Sequence, residues 1–255
     1  ESSRKSWKES KNSTGLWADI SGRYVTITVP SASVRNLEDP GPVMSMYDTL
    51  LKHYHDLRGT DIDKHRKMWI VADEQPVAGY MHAGYPIVTH MDVADPKRDN
   101  FLLNEQGIKT KTESFWGIFH EIGHNMQQGE WTFEGTGEVT VNIFTLYAMK
   151  QIGNMETWIH PWLKKHVEAG IKYVNHGADF NTWKKEPGTA LLIYAQLVNA
   201  FGWSIFKQVF RRYQNLPAVE KPKNNQEKMD KWFVIFSEEC KFNLAPLAIY
   251  WGFPI

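Results

Sequence analysis

The chain has 255 residues, and its 29 Lys+Arg balance 29 Asp+Glu. A net charge of zero gives no electrostatic pull on nucleic acid or on an anionic membrane. Hydrophobic content of 42% with 23% charged residues fits a globular chain with a sizeable core, and the single cysteine, Cys240, excludes an intrachain disulfide or a multi-cysteine metal site.

Taken in chain order, residues 1–13 are polar and charged and are expected to be a disordered tail or linker. Asn12-Ser13-Thr14 is an N-glycosylation sequon, a triplet that also arises by chance. Residues 23–29 alternate β-branched side chains and end at Pro30, which predicts a strand. Met44, Tyr47, Leu50, Leu51 and Tyr54 recur at helical spacing, so 43–57 is expected to be an amphipathic helix closed by Gly59. A second strand is expected over 67–72. The Gly- and Tyr-rich stretch 77–88 reads as an irregular strand or hairpin, and 92–110 as loop.

From 112 onward the pattern turns helical, with helices expected over 112–128, 137–151, 155–169, 188–199, 203–213 and 226–240. The Pro-, Asn- and Lys-rich stretch 216–226 reads as an exposed loop. No apolar run approaches the roughly 18–20 residues that span a bilayer. The expected fold class is α+β: a sheet-containing first half, about 14–110, packed on a mostly helical second half, about 111–255, in one catalytic domain over 14–255. The 11 Trp, 10 Tyr and 13 Phe are read first as core, with sugar stacking as the alternative.

The chemistry concentrates in His120-Glu121-Ile122-Gly123-His124. Residues four apart lie on one helical face, so both imidazoles reach a single Zn2+, and Glu121 sits beside the metal as the base that takes a proton from water attacking a carbonyl. A catalytic zinc needs a third protein ligand, and Glu130, Glu134 and Glu138 are available. Glu130 must serve the turn out of the helix, Glu134 precedes the flexible Gly135-Thr136-Gly137, and Glu138 opens the next helix. Rigidity favours Glu138, with Asn142 one turn on to hydrogen-bond its carboxylate and with Asn125 and Gln128 supporting the other side. For the developing oxyanion the candidates are Tyr85, Tyr194, His82 and His176, with Tyr194 better read as core. Residues 79–87, including Gly84, are the candidate edge for an extended substrate, and Trp131 is a candidate sugar platform set against packing between helices.

His120 to Gln127 (His-Glu-Ile-Gly-His-Asn-Met-Gln) followed by Gly137-Glu138-Val139-Thr140-Val141-Asn142 resembles the enhancin-like, mucin-targeting gluzincin metallopeptidases. Thr14-Gly15-Leu16-Trp17, the 79–87 stretch and the Phe201-Gly202-Trp203 end of 196–203 resemble them too, so the likeness runs over most of 14–255. It implies a zinc-dependent endopeptidase acting on O-glycosylated, mucin-like protein, with His120, His124 and Glu138 as ligands and Glu121 as base. The chain has the size of the catalytic core without the carbohydrate-binding modules of longer members. A secreted or cell-surface location follows from the resemblance, with a cytoplasmic one left open. A related branch, the TRP-channel-associated factors, implies the alternative of a non-catalytic, zinc-containing scaffold. The retained His, Glu and His favour turnover.

Overall fold

A computed structural model of the chain describes residues 1–2, 4–157 and 160–255. The fold class is α+β, and the chain forms two compact units. The first comprises Glu1–His53, Asp61–Asn125 and Gln151–Asn154; the second comprises Tyr54–Thr60, Met126–Lys150 and Met155–Ile255. The two units therefore interleave along the chain, with the longest unbroken stretch of the first ending at Asn125.

The first unit is built on a five-stranded mixed sheet of order β1-β2-β3-β5-β4. Its strands are β1 (Trp17–Ser21), β2 (Val25–Pro30), β3 (Met68–Asp73), β4 (Met81–His82) and β5 (Ile87–His90). β2, β3 and β5 run parallel, while β1 and β4 close the two edges antiparallel to their neighbours. Alternation along the strands decides the faces: Ile20, Val25, Ile27, Val29, Ile70, Ala72, Ile87 and Thr89 are buried, and the residues between them are half-buried or exposed.

Helix α1 (Arg4–Ser10) lies where a disordered tail was expected. Seven residues do not hold a helix in water by propensity alone. Here Trp7 is 5% exposed, and its Nε1 donates to the Leu37 carbonyl at 2.7 Å. Helix α2 (Gly41–Arg58) buries Val43, Met44, Tyr47, Leu50 and Leu51, as its spacing predicts. The expected loop over 92–110 contains the short helix α3 (Glu105–Thr110), capped by Asn104 Oδ1 accepting from the Gly107 amide. Helix α4 (Trp116–His124) lies beside β4 and β5 and stops short of the predicted end at 128.

The second unit is helical. α5 (Gly137–Gly153) is buried without interruption from Val139 through Met149, the mark of a core helix rather than an amphipathic surface one. The helix expected over 155–169 includes residues 158–159, which lie outside the described residues; beyond them stand a single turn, Pro161–Lys164, and α6 (Val167–Asn175). Helices predicted over 188–199 and 203–213 are joined into α7 (Pro187–Gln214), which breaks helical geometry at Gly202. α8 (Asn225–Cys240) and a short α9 (Ala245–Tyr250) complete the unit. α7 is long and apolar enough to cross a membrane by composition, yet 56% of its most apolar window is buried, as in a core helix. Its Phe206 and Phe210 pack on Trp232 of α8 at ring-centroid separations of 6.3 Å and 5.8 Å.

Gly202 has φ 76° and ψ 168°, a backbone state open in practice to glycine alone. Gly202→Ala is expected to destabilise the protein by about 1–3 kcal/mol, read as a lower urea midpoint with an unchanged slope.

Candidate metal centre

α4 is nine residues long and carries two unlike faces. Ile118, Phe119 and Ile122 are each 1% exposed or less, and their burial holds the helix in place. His120 and His124 share another face. Their ring centroids are 4.6 Å apart and the planes lie at 89°, so neither ring stacks on the other. Glu121 between them is 9% exposed, a degree of burial a carboxylate sustains only with partners.

Glu138 stands in the first turn of α5, where an acidic side chain is favoured by the helix dipole. One donor atom from each of His120, His124 and Glu138 lies within 4.8 Å of the others. Two imidazole nitrogens and one carboxylate oxygen are a donor set used by catalytic zinc, with a fourth position left for water or substrate. The chemistry of the residues therefore fits the metal.

Local contacts fix the start of α5. Gln127 Nε2 donates to the Gly137 carbonyl at 2.8 Å and to Thr140 Oγ1 at 2.6 Å. Asn142 is 3% exposed, and its Nδ2 donates to the backbone carbonyl of Glu138 at 2.8 Å. Gln127, three residues beyond His124, makes these contacts rather than the expected Gln128. Gln128 pairs with Gln214, which in turn donates to the Arg58 carbonyl at 3.1 Å.

The other glutamates have separate surroundings. Glu130 accepts from Lys221 Nζ at 2.9 Å, and this hydrogen bond holds its carboxyl below the ordinary value. Glu134 is exposed, and its amide donates to Asn225 Oδ1.

Two of the sequence candidates, Trp131 and Tyr194, are packing residues. Trp131 is 1% exposed, against Phe210 at 4.8 Å and Tyr213 at 5.5 Å, so no ring face is left for a sugar. Tyr194 is 2% exposed between Trp183 and Trp232, and burial pushes its phenol far above its ordinary pKa. That places it in the aromatic core of its unit. Tyr85 is 43% exposed, with the Arg66 guanidinium 3.6 Å from its ring centroid and Trp69 at its edge. His82 Nδ1 lies 2.9 Å from the Ala83 carbonyl, and His176 Nδ1 lies 2.7 Å from the Lys172 carbonyl at the end of α6. Gly84 is hydrogen-bonded to the side chain of Asn125.

The family profile described as peptidase M60, enhancin and enhancin-like matches residues 1–252. The chain belongs to the peptidase M60 family. Its similarity to TRPM8 channel-associated factor 2 of Bos taurus is 35% identity over 260 residues, covering 100% of this chain and 27% of the relative. A solved structure from Bacillus anthracis, of a conserved protein of unknown function, superposes with TM-score 0.79 at 25% identity, covering 98% of this chain and 52% of that one. A solved metallopeptidase in complex with Tn antigen gives TM-score 0.72 at 17% identity, covering 98% and 47%. The chain thus spans about a quarter of the length of the curated relative and about half that of the solved chains. Membership in M60 places it in a metallopeptidase family, and the metal such a family implies is typically zinc.

Lys221→Met tests the surface ion pair. Glu130 is held below its ordinary pKa, so the pair contributes stability above the unfolded-state value and loses it as pH falls through the folded one. The substitution should cost less than about 1 kcal/mol near neutrality, because the pair is largely solvated. The difference should vanish below the carboxylate range, read by denaturant unfolding at the two pH values.

Proposed function

We propose that this chain is a zinc endopeptidase that hydrolyses peptide bonds in O-glycosylated, mucin-like proteins. The observation that carries the proposal is the set of His120, His124 and Glu138, which each offer a donor atom to one metal ion, with the buried Glu121 following His120 on the same helix. His120, His124 and Glu138 would hold the metal. Zinc, when bound, supplies Lewis acidity towards a carbonyl oxygen and makes water more acidic. Glu121 accepts a proton from water as its oxygen bonds to the scissile carbonyl carbon. The carbon–nitrogen bond then breaks, and Glu121 returns the proton to the leaving nitrogen. Asn142 keeps the first turn of α5 closed through the Glu138 carbonyl, so the ligand starts from a fixed backbone.

β4 is an edge strand of the sheet and lies beside α4. An extended peptide adding to that edge through main-chain hydrogen bonds would pass close to the helix that carries Glu121. Glycoprotein as the substrate class draws support from family membership and from the fold shared with a metallopeptidase solved with Tn antigen. The second reading is a non-catalytic, zinc-containing scaffold, favoured by the 35% identity to a channel-associated factor.

Glu121→Gln is expected to lower cleavage of a mucin-type glycopeptide by about 100-fold or more, with zinc content and circular dichroism unchanged. Mass spectrometry of the products, with and without chelator, measures it; undiminished cleavage by the variant sinks the proposal. Retained zinc with no cleavage by the wild-type protein favours the scaffold. The same peptide without its glycan reports whether the sugar is read.

A further inference from the structure

Asn125 directly follows the second histidine of the motif and caps the end of α4. Asparagine often ends a helix because it tolerates left-handed backbone, but Asn125 is right-handed at φ −68° and ψ −12°. Another property of the residue is in use. Its Nδ2 donates to the Gly84 carbonyl at 2.9 Å, and its Oδ1 accepts from the Gly84 amide at 3.2 Å. Nδ2 also lies 3.3 Å from Met68 Sδ, at the first residue of β3.

A carboxamide carries the in-plane donor and acceptor of a peptide group, so the Asn125 side chain makes with Gly84 the paired contact that one rung of a β-ladder makes. Gly84 lies in the connection from β4 to β5 and has φ +129°, a conformation L residues rarely adopt. The connection therefore leaves β4 along a path that favours glycine, and its amide and carbonyl both meet one partner from outside it. Asn125 is that partner. Through it, the end of the edge strand is tied to the end of the helix that presents His120, Glu121 and His124.

We propose that Asn125 is a positioning residue that sets the register of β4 against α4, so that an extended peptide on β4 brings one particular bond opposite Glu121. This rests on the reading of α4 as the zinc helix and β4 as the substrate edge. The contact acts through backbone placement, since Asn125 itself touches Gly84 and Met68.

The test uses Asn125→Ala, Asn125→Asp and Gly84→Ala, which disturb one contact from its two ends. Asn125→Asp keeps the acceptor for the Gly84 amide but sets a second acceptor against the Gly84 carbonyl, and so guards against misfolding of the alanine variant. Amide exchange over 81–86, zinc content and affinity for a mucin-type glycopeptide are measured, with affinity read in a Glu121→Gln background to prevent turnover. Each variant should weaken peptide binding about tenfold, the scale of one lost hydrogen bond, with zinc content unchanged, and Asn125→Ala should also speed exchange at Gly84. In the active protein, cleavage should spread to neighbouring bonds, which a purely structural loss would not produce. Asn125→Ala combined with Gly84→Ala should be no worse than the worse single change. Wild-type affinity and exchange in the variants overturns the inference and leaves the zinc reading intact. A wild-type protein that binds the peptide without cleaving it fails as an enzyme, while the affinity series still decides Asn125. A wild-type protein that binds no peptide overturns both.

Discussion

A nine-residue helix that is apolar on one side and carries the proposed metal ligands on another is the constraint on which the candidate centre depends. Helices this short do not persist on propensity, and every residue spent on ligation is lost to packing. Phe119, Ile118 and Ile122 therefore carry the anchoring, and they sit at 0–1% exposure. The imidazoles inherit their directions from that burial. Changing the anchoring side chains would disturb the rings without touching them.

Glu138 meets the same demand by another route. It occupies the first turn of a helix whose later residues are buried continuously, so the carboxylate projects from a rigid base. Gln127 and Asn142 then close the turn around it, one through the Gly137 carbonyl and one through the Glu138 carbonyl. Gln127 also reaches Thr140 Oγ1 in the same turn. These contacts restrict what the chain can do there, which matters because a ligand carboxylate on a loose loop loses affinity to its own entropy.

Much of this was legible from sequence because it is local. HExxH spacing fixes a helical face, and the strands over 23–29 and 67–72 announce themselves by alternation; β2 and β3 are found there within two residues. Burial that depends on distant chain was not legible. α1 is polar apart from Trp7, whose burial and bond to the Leu37 carbonyl come from distant chain. β1 (Trp-Ala-Asp-Ile-Ser) has a single buried residue, so its pattern was too weak to read. Trp131 and Tyr194 carry the composition of a binding platform, and nothing near them in sequence tells of the rings they pack against. The Asn125–Gly84 pair joins residues forty-one apart and leaves no periodic trace.

β4 also bears on how copies of this chain treat one another. A sheet edge open to a substrate is open to any extended segment, including the same edge on a second molecule. β4 has only two residues in strand geometry, with left-handed glycines at 79 and 84 on either side. Two residues offer too few rungs for sheets to join and grow, while the bend at Gly84 turns the chain away before a ladder can extend. The brevity of β4 is thus a safeguard against edge-to-edge aggregation, built into the strand proposed to receive a peptide.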